Sequence, residues 1–474
     1  MTRLLLLLLC LSVCLPQAAF ARLTSQPENW QRGSTGTRDL ATIRNGGVLR
    51  VLVNQSRNSS GEIKGEPIGI EYRRLRAFEH YLNDNAPGRR PLTLKLIPRA
   101  KDQLLAALQR GEGDLVAPGE VLVPRDGLNV NATTPWRAGV PLVVVSRQGN
   151  RRYAHLEQLS GRSLALPAGS AAVQALGELN ERLRQRHQAP VNIEWVDPSL
   201  AVEDVLEMVQ AGIYPATVVE QPIAERWAKV FGKLRVDRNL VLDNRQDMTW
   251  YVRRDAPMLQ ASIDSFQQQY RAPADQDGAF ERFYRRAYQV RNPLEAADRK
   301  KLEALRGTLQ RYAEQNRIDW LALAAVAFKE SRLNAEARGS SGATGLMQIT
   351  PAAARTVGVS SLKGKDNNVQ AATRYLALLR RGYFNSPRID ERERLAFILA
   401  AYNVGPERVQ GLRAEARRQG LDPNRWFFQV ERVAAEELGM GVVNYVSSVN
   451  KYYLAYQRER EGLEPRQRVA STRK

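Results

Sequence analysis

The stretch Trp320-Leu321-Ala322-Leu323-Ala324-Ala325-Val326-Ala327-Phe328-Lys329-Glu330-Ser331 decides the fold of the C-terminal half. From Trp320 to Phe328 it is apolar without interruption, and a helix that is apolar on every side is a buried helix. Asp319 stands where an N-cap is needed, with Ile318 and Leu323 spaced for a hydrophobic staple. Polarity then returns abruptly at Lys329-Glu330-Ser331-Arg332. Glu330 is therefore expected at the C-terminal end of a buried helix. Desolvation and the negative end of the helix dipole both disfavour its ionised form there. A carboxyl that stays protonated near neutral pH is what a general acid requires.

Downstream, the run Gly339-Ser340-Ser341-Gly342-Ala343-Thr344-Gly345 reads as a loop whose glycines permit close backbone approach to a ligand. Leu346-Met347-Gln348-Ile349-Thr350-Pro351 leads into further helix, followed by helices over 369–381 and 395–401. The second of these ends in Tyr402-Asn403-Val404-Gly405-Pro406, and a last helical stretch carries Val443-Asn444-Tyr445-Val446. The ordered set Glu330-Ser331, Gly342 to Ile349, Ala401-Tyr402-Asn403 and Tyr445 resembles the lytic transglycosylases related to goose-type lysozyme, over about residues 300–457.

That resemblance implies cleavage of the β-1,4 bond between N-acetylmuramic acid and N-acetylglucosamine in peptidoglycan. Glu330 is the implied single catalytic residue, first acid and then base, leaving 1,6-anhydro ends. Ser331, Met347, Gln348, Tyr402, Asn403 and Tyr445 are the implied sugar-binding residues. Amides and a phenol can bond hydroxyl and acetamido groups, and rings can pack on sugar faces. Ordinary glycosidases use two carboxylates. No second acid falls in the matched motifs, and Glu336, the nearest candidate, sits in a polar stretch. Many relatives carry Ser nine residues after the catalytic Glu; here that position is Gly339, with Ser340 and Ser341 as neighbouring substitutes.

The first half reads differently. Val48 to Val53, Leu92 to Ile97, Leu142 to Val145, Ser163 to Leu166, Val191 to Val196 and Ala216 to Val219 are strand signals. Helices are expected over 75–82, 102–109, from 171, and 202–210, and a late strand over 248–252. This alternation predicts two α/β lobes with mostly parallel sheets and a late return, the plan of a hinged clamp. Gly47-Val48-Leu49-Arg50-Val51, Pro67-Ile68-Gly69-Ile70-Glu71-Tyr72 and Leu108 to Leu115 resemble the periplasmic solute-binding family that recognises amino acids. The resemblance implies that Arg125 holds a ligand carboxylate and Glu220 its amino group. Ordinary loop charges remain the alternative for both.

The fold class expected overall is multidomain: a two-lobed α/β periplasmic-binding-protein-like domain followed by a mostly α-helical lysozyme-like domain. Residues 1–21 read as a signal peptide, with Arg3, an apolar run over 4–15 and Ala19-Phe20-Ala21. Residues 22–44 read as linker, 45–270 as the clamp, 271–299 as a linker docked by Phe280, Phe283, Tyr284 and Tyr288, 300–457 as the lytic domain and 458–474 as a basic tail. The two cysteines, Cys10 and Cys14, both precede the expected cleavage site, which excludes a disulfide framework and a Cys-based zinc site from the rest of the chain. No cofactor or metal is expected.

Of the 474 residues, 70 are Lys or Arg and 50 Asp or Glu, a net charge of +20 that favours anionic partners. Export and the lack of a basic-aromatic motif argue against nucleic acid. The expected partners are peptidoglycan, a cell-wall peptide or amino-acid-like ligand in the clamp, and peripheral contact with the outer membrane from the periplasm, where the tail either lies against anionic lipid or is a solvated, frayed end. The competing reading is a solute-binding receptor whose C-terminal half binds wall without cutting it.

Overall fold

The computed structural model describes residues 38–464, except 55, 57–61, 64–65, 68, 87, 288–290 and 340–341. The expected signal peptide, residues 22–37 of the expected linker, Tyr288, Ser340, Ser341 and residues 465–474 lie outside the described residues. Among the described residues, no helix is long and apolar enough to cross a membrane.

Apolar strands build the first lobe. It contains β1 (Val48–Asn54), the small ribbon β2 (Glu62–Ile63) and β3 (Glu66–Pro67), β4 (Thr93–Arg99), β5 (Leu115–Ala117) and β6 (Val130–Ala132). The chain crosses into a second lobe with β7 (Arg137–Arg147), β8 (Ser163–Leu166), β9 (Asn192–Trp195), β10 (Ala216–Glu220) and β11 (Leu234–Met248). It then returns to the first as β12 (Tyr251–Arg253). The sheet orders are β4-β1-β5-β12-β6 and β11-β7-β10-β8-β9. This is the two-lobed α/β clamp that the sequence predicts, with the late return in place.

The expectation of mostly parallel sheets is corrected. β1 runs parallel to β4 and β5, and β8 parallel to β9 and β10. β7 with β10 and β11, and β12 with β5 and β6, are antiparallel. Both sheets are mixed because the strands beside the lobe crossings run back along their neighbours. β11 was invisible to an apolar pattern because it carries charge: Asp237 accepts from Arg235 Nε at 2.7 Å and from Ser146 Oγ at 3.0 Å.

The helix Gln276–Ala287 covers the second lobe. Its Phe280 and Tyr284 are buried around Trp227, with ring centroids 5.1 Å from the indole. Leu259, Ile263 and Phe266 of the helix Pro257–Gln269 close one core of the first lobe against Phe78 and Trp250.

The C-terminal half is all helix. Ala296–Asn316, Trp320–Ser331, Lys365–Gly382, Glu391–Val404, Pro406–Arg418, Glu431–Leu438 and Met440–Arg458 share a single core. Every residue from Trp320 to Phe328 is buried, as the uninterrupted apolar run demands. Asp319 caps this helix through the Leu321 amide at 3.0 Å. The helix packs between Ala296–Asn316 and Met440–Arg458, where Phe328 meets Tyr452 edge-on at 4.8 Å.

This domain is bonded to the second lobe. Arg392 grips Asp197 with two bonds of 2.7 and 2.9 Å, the bidentate geometry guanidinium and carboxylate favour. Lys451 reaches Asp204 at 3.0 Å and Glu207 at 2.5 Å, and Asn450 donates to Ser199 at 2.9 Å. Arg458 holds Glu194. Residues 458–464, grouped in the sequence with a membrane-facing tail, fold back instead. Leu463 is buried, Arg460 pairs with Asp319, and Glu464 accepts from Trp320 Nε1 at 2.6 Å. Apolar contact and complementary charge outweigh solvation for that stretch.

Candidate active site

Glu330 lies in the last turn of Trp320–Ser331, which stops because Arg332 and Leu333 take left-handed backbone angles, φ 51° and 61°. Its side chain is half-buried. Tyr445, from the middle of Met440–Arg458, donates its hydroxyl to Glu330 Oε1 at 2.6 Å. Burial pushes the Glu330 carboxyl above the ordinary glutamate value; the Tyr445 hydrogen bond and the Lys329 charge act the other way without cancelling it. The neighbouring Arg332 turns to Asp298, at 2.8 Å. The phenols of Tyr445 and Tyr402 are both held well above the usual tyrosine value by burial and by the nearby Glu330 charge, so both stay protonated donors.

Tyr402 ends the helix Glu391–Val404 and donates to the Met347 carbonyl at 2.8 Å. Asn403 beside it is exposed. Gln348 is half-buried, with φ 47°, and its Nε2 donates to the carbonyls of Ala337 at 3.1 Å and Gly345 at 2.8 Å. The structure thus gathers Glu330 and Tyr445 directly, and ties Tyr402 and Gln348 to the loop 337–348.

Two expected sugar contacts are corrected. The Met347 side chain is fully buried in the domain core, because Leu346, Met347 and Ile349 are the apolar anchors of this loop. Only its backbone faces the site network. The Ser331 hydroxyl is 2.8 Å from the Leu346 carbonyl and 3.1 Å from that of Ala327, and it accepts the Asn334 amide at 3.0 Å. A hydroxyl at a helix end satisfies orphan backbone groups first. Ser331 therefore pins the loop to the helix that carries Glu330. Glu336 is exposed.

Sequence reading missed Asn368. It is buried at the start of Lys365–Gly382, where Asn reads as a mere capping residue. Its Oδ1 accepts the Met347 amide and its Nδ2 donates to the Thr344 carbonyl, both at 2.8 Å. Gly345, at φ 77°, must be glycine: a Cβ there would stand 2.5 Å from Asn368 Nδ2. At Gly339 a Cβ would fall 2.2 Å from Gln348 Oε1, the end of a flexible side chain that a larger residue would have to move.

In the clamp, Arg125 is exposed while Glu220 is buried. The two residues expected to hold opposite ends of a ligand thus differ in exposure. Glu220 Oε1 instead accepts the Val121 amide, across the lobes, at 2.8 Å, and lies 3.6 Å from Lys101 Nζ. Lys101 is also 2.7 Å from Glu120, which takes Asn54 Nδ2 at 2.7 Å. Burial opposes the Lys101 charge, but Glu120 and Glu220 overcome it and hold the ammonium above the usual lysine value. Burial raises Glu120. The gap around this cluster is only about 20 Å³. The chain's own ammonium takes the place expected for a ligand's.

Residues 307–424, which carry Glu330 and the glycine-rich loop tied down beside it, match the family model of the Transglycosylase SLT domain. The similarity extends well beyond that domain. The chain is 27% identical over 398 residues to the membrane-bound lytic murein transglycosylase F of Desulfosudis oleivorans, covering 81% of each protein. It is 26% identical over 460 residues to the protein of that name from Serratia proteamaculans, covering 91% of this chain and 89% of the other. Among solved structures, an L-arginine-bound amino acid ABC transporter substrate-binding protein from Streptococcus pneumoniae matches 52% of this chain and 95% of its own, at 16% identity and a TM-score of 0.40.

Proposed function

We propose that the protein is a lytic transglycosylase of peptidoglycan with Glu330 as its single acid and base. The observation that carries this reading is the half-buried Glu330 carboxyl, raised above its ordinary value, with Tyr445 fixed on Oε1. That bond leaves Oε2 as the oxygen for proton transfer. The protonated acid gives its proton to the glycosidic oxygen as the bond from C1 of N-acetylmuramic acid to N-acetylglucosamine breaks. The muramyl C6 hydroxyl then attacks C1, and its proton returns to Glu330. Proton and bond counts balance: one glycosidic bond is exchanged for the 1,6-anhydro bond, without water. The resemblance to the family assigns the stabilisation of C1 to the substrate's own acetamido group.

Within this reading Tyr402, Asn403, Gln348 and Tyr445 border the sugar groove, and Ser331, Met347 and Asn368 act as positioning residues through the loop backbone. We place the protein in the periplasm, exported by residues 1–21 and touching the outer membrane peripherally, with release from wall ends as its mode of action. The two-lobed half fits modulation by a wall-derived ligand. A ligand amine at Glu220 would have to displace the Lys101 ammonium.

The test digests purified murein with wild type and Glu330→Gln and resolves the products by mass spectrometry. Anhydro ends that vanish in the variant support the assignment. Reducing ends would make the protein a hydrolase, and full activity in Glu330→Gln would remove Glu330 from the mechanism.

A further inference from the structure

Beside Tyr402 the lytic domain carries two more phenols that the catalytic reading does not use. Tyr375 stands on the helix Lys365–Gly382. Ala372 and Leu379, three residues before it and four after, are fully buried and turn this side of the helix to the core. Tyr375 itself is only half-buried, so it stands at the rim of that core. Its ring centroid lies 6.0 Å from that of Tyr402, the planes inclined at 57°. Its hydroxyl has no hydrogen-bond partner among the described residues, and it is not sealed from water.

Tyr383, just past the end of the same helix, is also half-buried. Phe384, next in the chain, is fully buried and stacks on Phe397 at 5.5 Å. Gln410 Nε2 donates to the Tyr383 carbonyl at 2.9 Å. These two contacts fix the backbone that carries the phenol. The Tyr383 hydroxyl donates to Glu407 Oε1 at 3.0 Å. Glu407 is exposed, in the first turn of Pro406–Arg418, and its Oε2 has no partner among the described residues. Burial, and next the charges of Glu407 and Tyr383, push the Tyr375 phenol above the usual tyrosine value, so the three groups are neighbours. A run of partly exposed phenols thus leads from Tyr402, which feels the Glu330 charge, through Tyr375 to the Tyr383–Glu407 pair.

Rings pack on the apolar faces of sugars, and phenols and carboxylates bond sugar hydroxyls and amides. We propose that Tyr375, Tyr383 and Glu407 form a further saccharide subsite, which takes an N-acetylated amino sugar of the same glycan strand away from the bond that is cut. The sugar packs on the Tyr375 ring. Its polar groups meet the Tyr375 hydroxyl and Oε2 of Glu407, the carboxylate that Tyr383 holds in place. The subsite rests on the lytic transglycosylase reading, and it gives that enzyme a preference for long strands over short fragments.

Titration calorimetry tests the proposal on the full chain carrying Glu330→Gln, with the β-1,4-linked N-acetylglucosamine hexamer and dimer as probes. The hexamer is expected to bind about tenfold more tightly than the dimer, or better. Adding Tyr375→Ala or Glu407→Ala should weaken the hexamer about tenfold and the dimer by about twofold at most. Tyr375→Phe, which keeps the ring, should lose far less than Tyr375→Ala. Circular dichroism confirms that each variant is folded, and the exposed Glu407 carries the test where Tyr375→Ala is not. With Glu330 restored, the Tyr375→Ala loss on murein should fall on KM. No binding of the hexamer, equal binding of the two probes, or hexamer affinity unchanged in folded Tyr375→Ala and Glu407→Ala would each overturn the subsite. So would a loss on murein confined to kcat, which would make Tyr375 a support for Tyr402. Failure of the underlying reading shows elsewhere, in the products that wild type and Glu330→Gln release from murein, so the two failures are told apart.

Discussion

Tyr445→Phe removes one oxygen from the candidate site and gives the sharpest test of how that site is tuned. In the structure the Tyr445 hydroxyl donates to Glu330 Oε1 at 2.6 Å, the length of a charge-assisted O–H···O⁻ bond. Such a bond favours the ionised carboxylate and opposes the burial that raises the Glu330 pKa. A hydrogen bond to a charged group is worth about 1.5–3 kcal/mol, and one pKa unit corresponds to about 1.4 kcal/mol. Deleting the hydroxyl should therefore raise the Glu330 pKa further. The proton donor then stays loaded to higher pH. The assay is the pH profile of kcat for release of soluble fragments from purified murein, wild type against Tyr445→Phe. The alkaline limb of the variant should move upward, with a lower plateau from lost positioning. An alkaline limb that stays put, or moves toward acid, would refute the reasoning even if activity fell. A change confined to KM would instead make Tyr445 a substrate contact alone.

Three further outcomes follow from other parts of the molecule. The Glu330 pKa is raised in the folded state, so the native protein binds more protons than the unfolded chain above the ordinary value of 4.5, and stability falls as pH rises through that window. Glu330→Gln should accordingly melt higher than wild type at neutral pH and lose that advantage when both are acidified below 4.5, as calorimetry can show. Lys101→Met leaves Glu120 and Glu220 buried without their cation; removing one partner of a buried pair costs about 3–5 kcal/mol, read by urea unfolding. The loss should shrink at low pH, where protonated carboxyls need no partner, and a loss independent of pH would contradict the cluster's role. Gly339→Ser places a Cβ against Gln348 Oε1 and should pull that amide off the Ala337 and Gly345 carbonyls, two hydrogen bonds worth about 0.5–1.5 kcal/mol each, read by urea unfolding together with murein-digestion activity. A variant as stable and active as wild type would show that Gln348 moves freely.

The buried helix Trp320–Ser331 was legible because burial on all sides leaves a one-dimensional trace, an apolar run with a cap before it and a charge after it. The two lobes were legible wherever strands were apolar on both faces. β11 was not, because its charges are satisfied by partners such as Ser146, distant in sequence. The same reason explains the site. Glu330 announces itself through its place in the helix, whereas the turn of Ser331 toward the backbone, the burial of Met347 and the grip of Asn368 depend on which carbonyl or amide the fold brings near. Arg125 and Glu220 share the difficulty. A motif marks the strand ends that face a cleft, but not that Lys101, from another strand end, fills it.

The bonds that fasten the lytic domain to the clamp have a mechanical consequence. Asp197, Ser199, Asp204, Glu207 and Glu194, which receive Arg392, Asn450, Lys451 and Arg458, all belong to the second lobe. Enzyme and second lobe are thus fastened to each other, and a hinge motion between the lobes would carry the enzyme with the second. The interlobe cleft is bounded by Lys101 of the first lobe and Glu220 of the second. Whatever wedged it apart would move the first lobe against the second lobe and enzyme together.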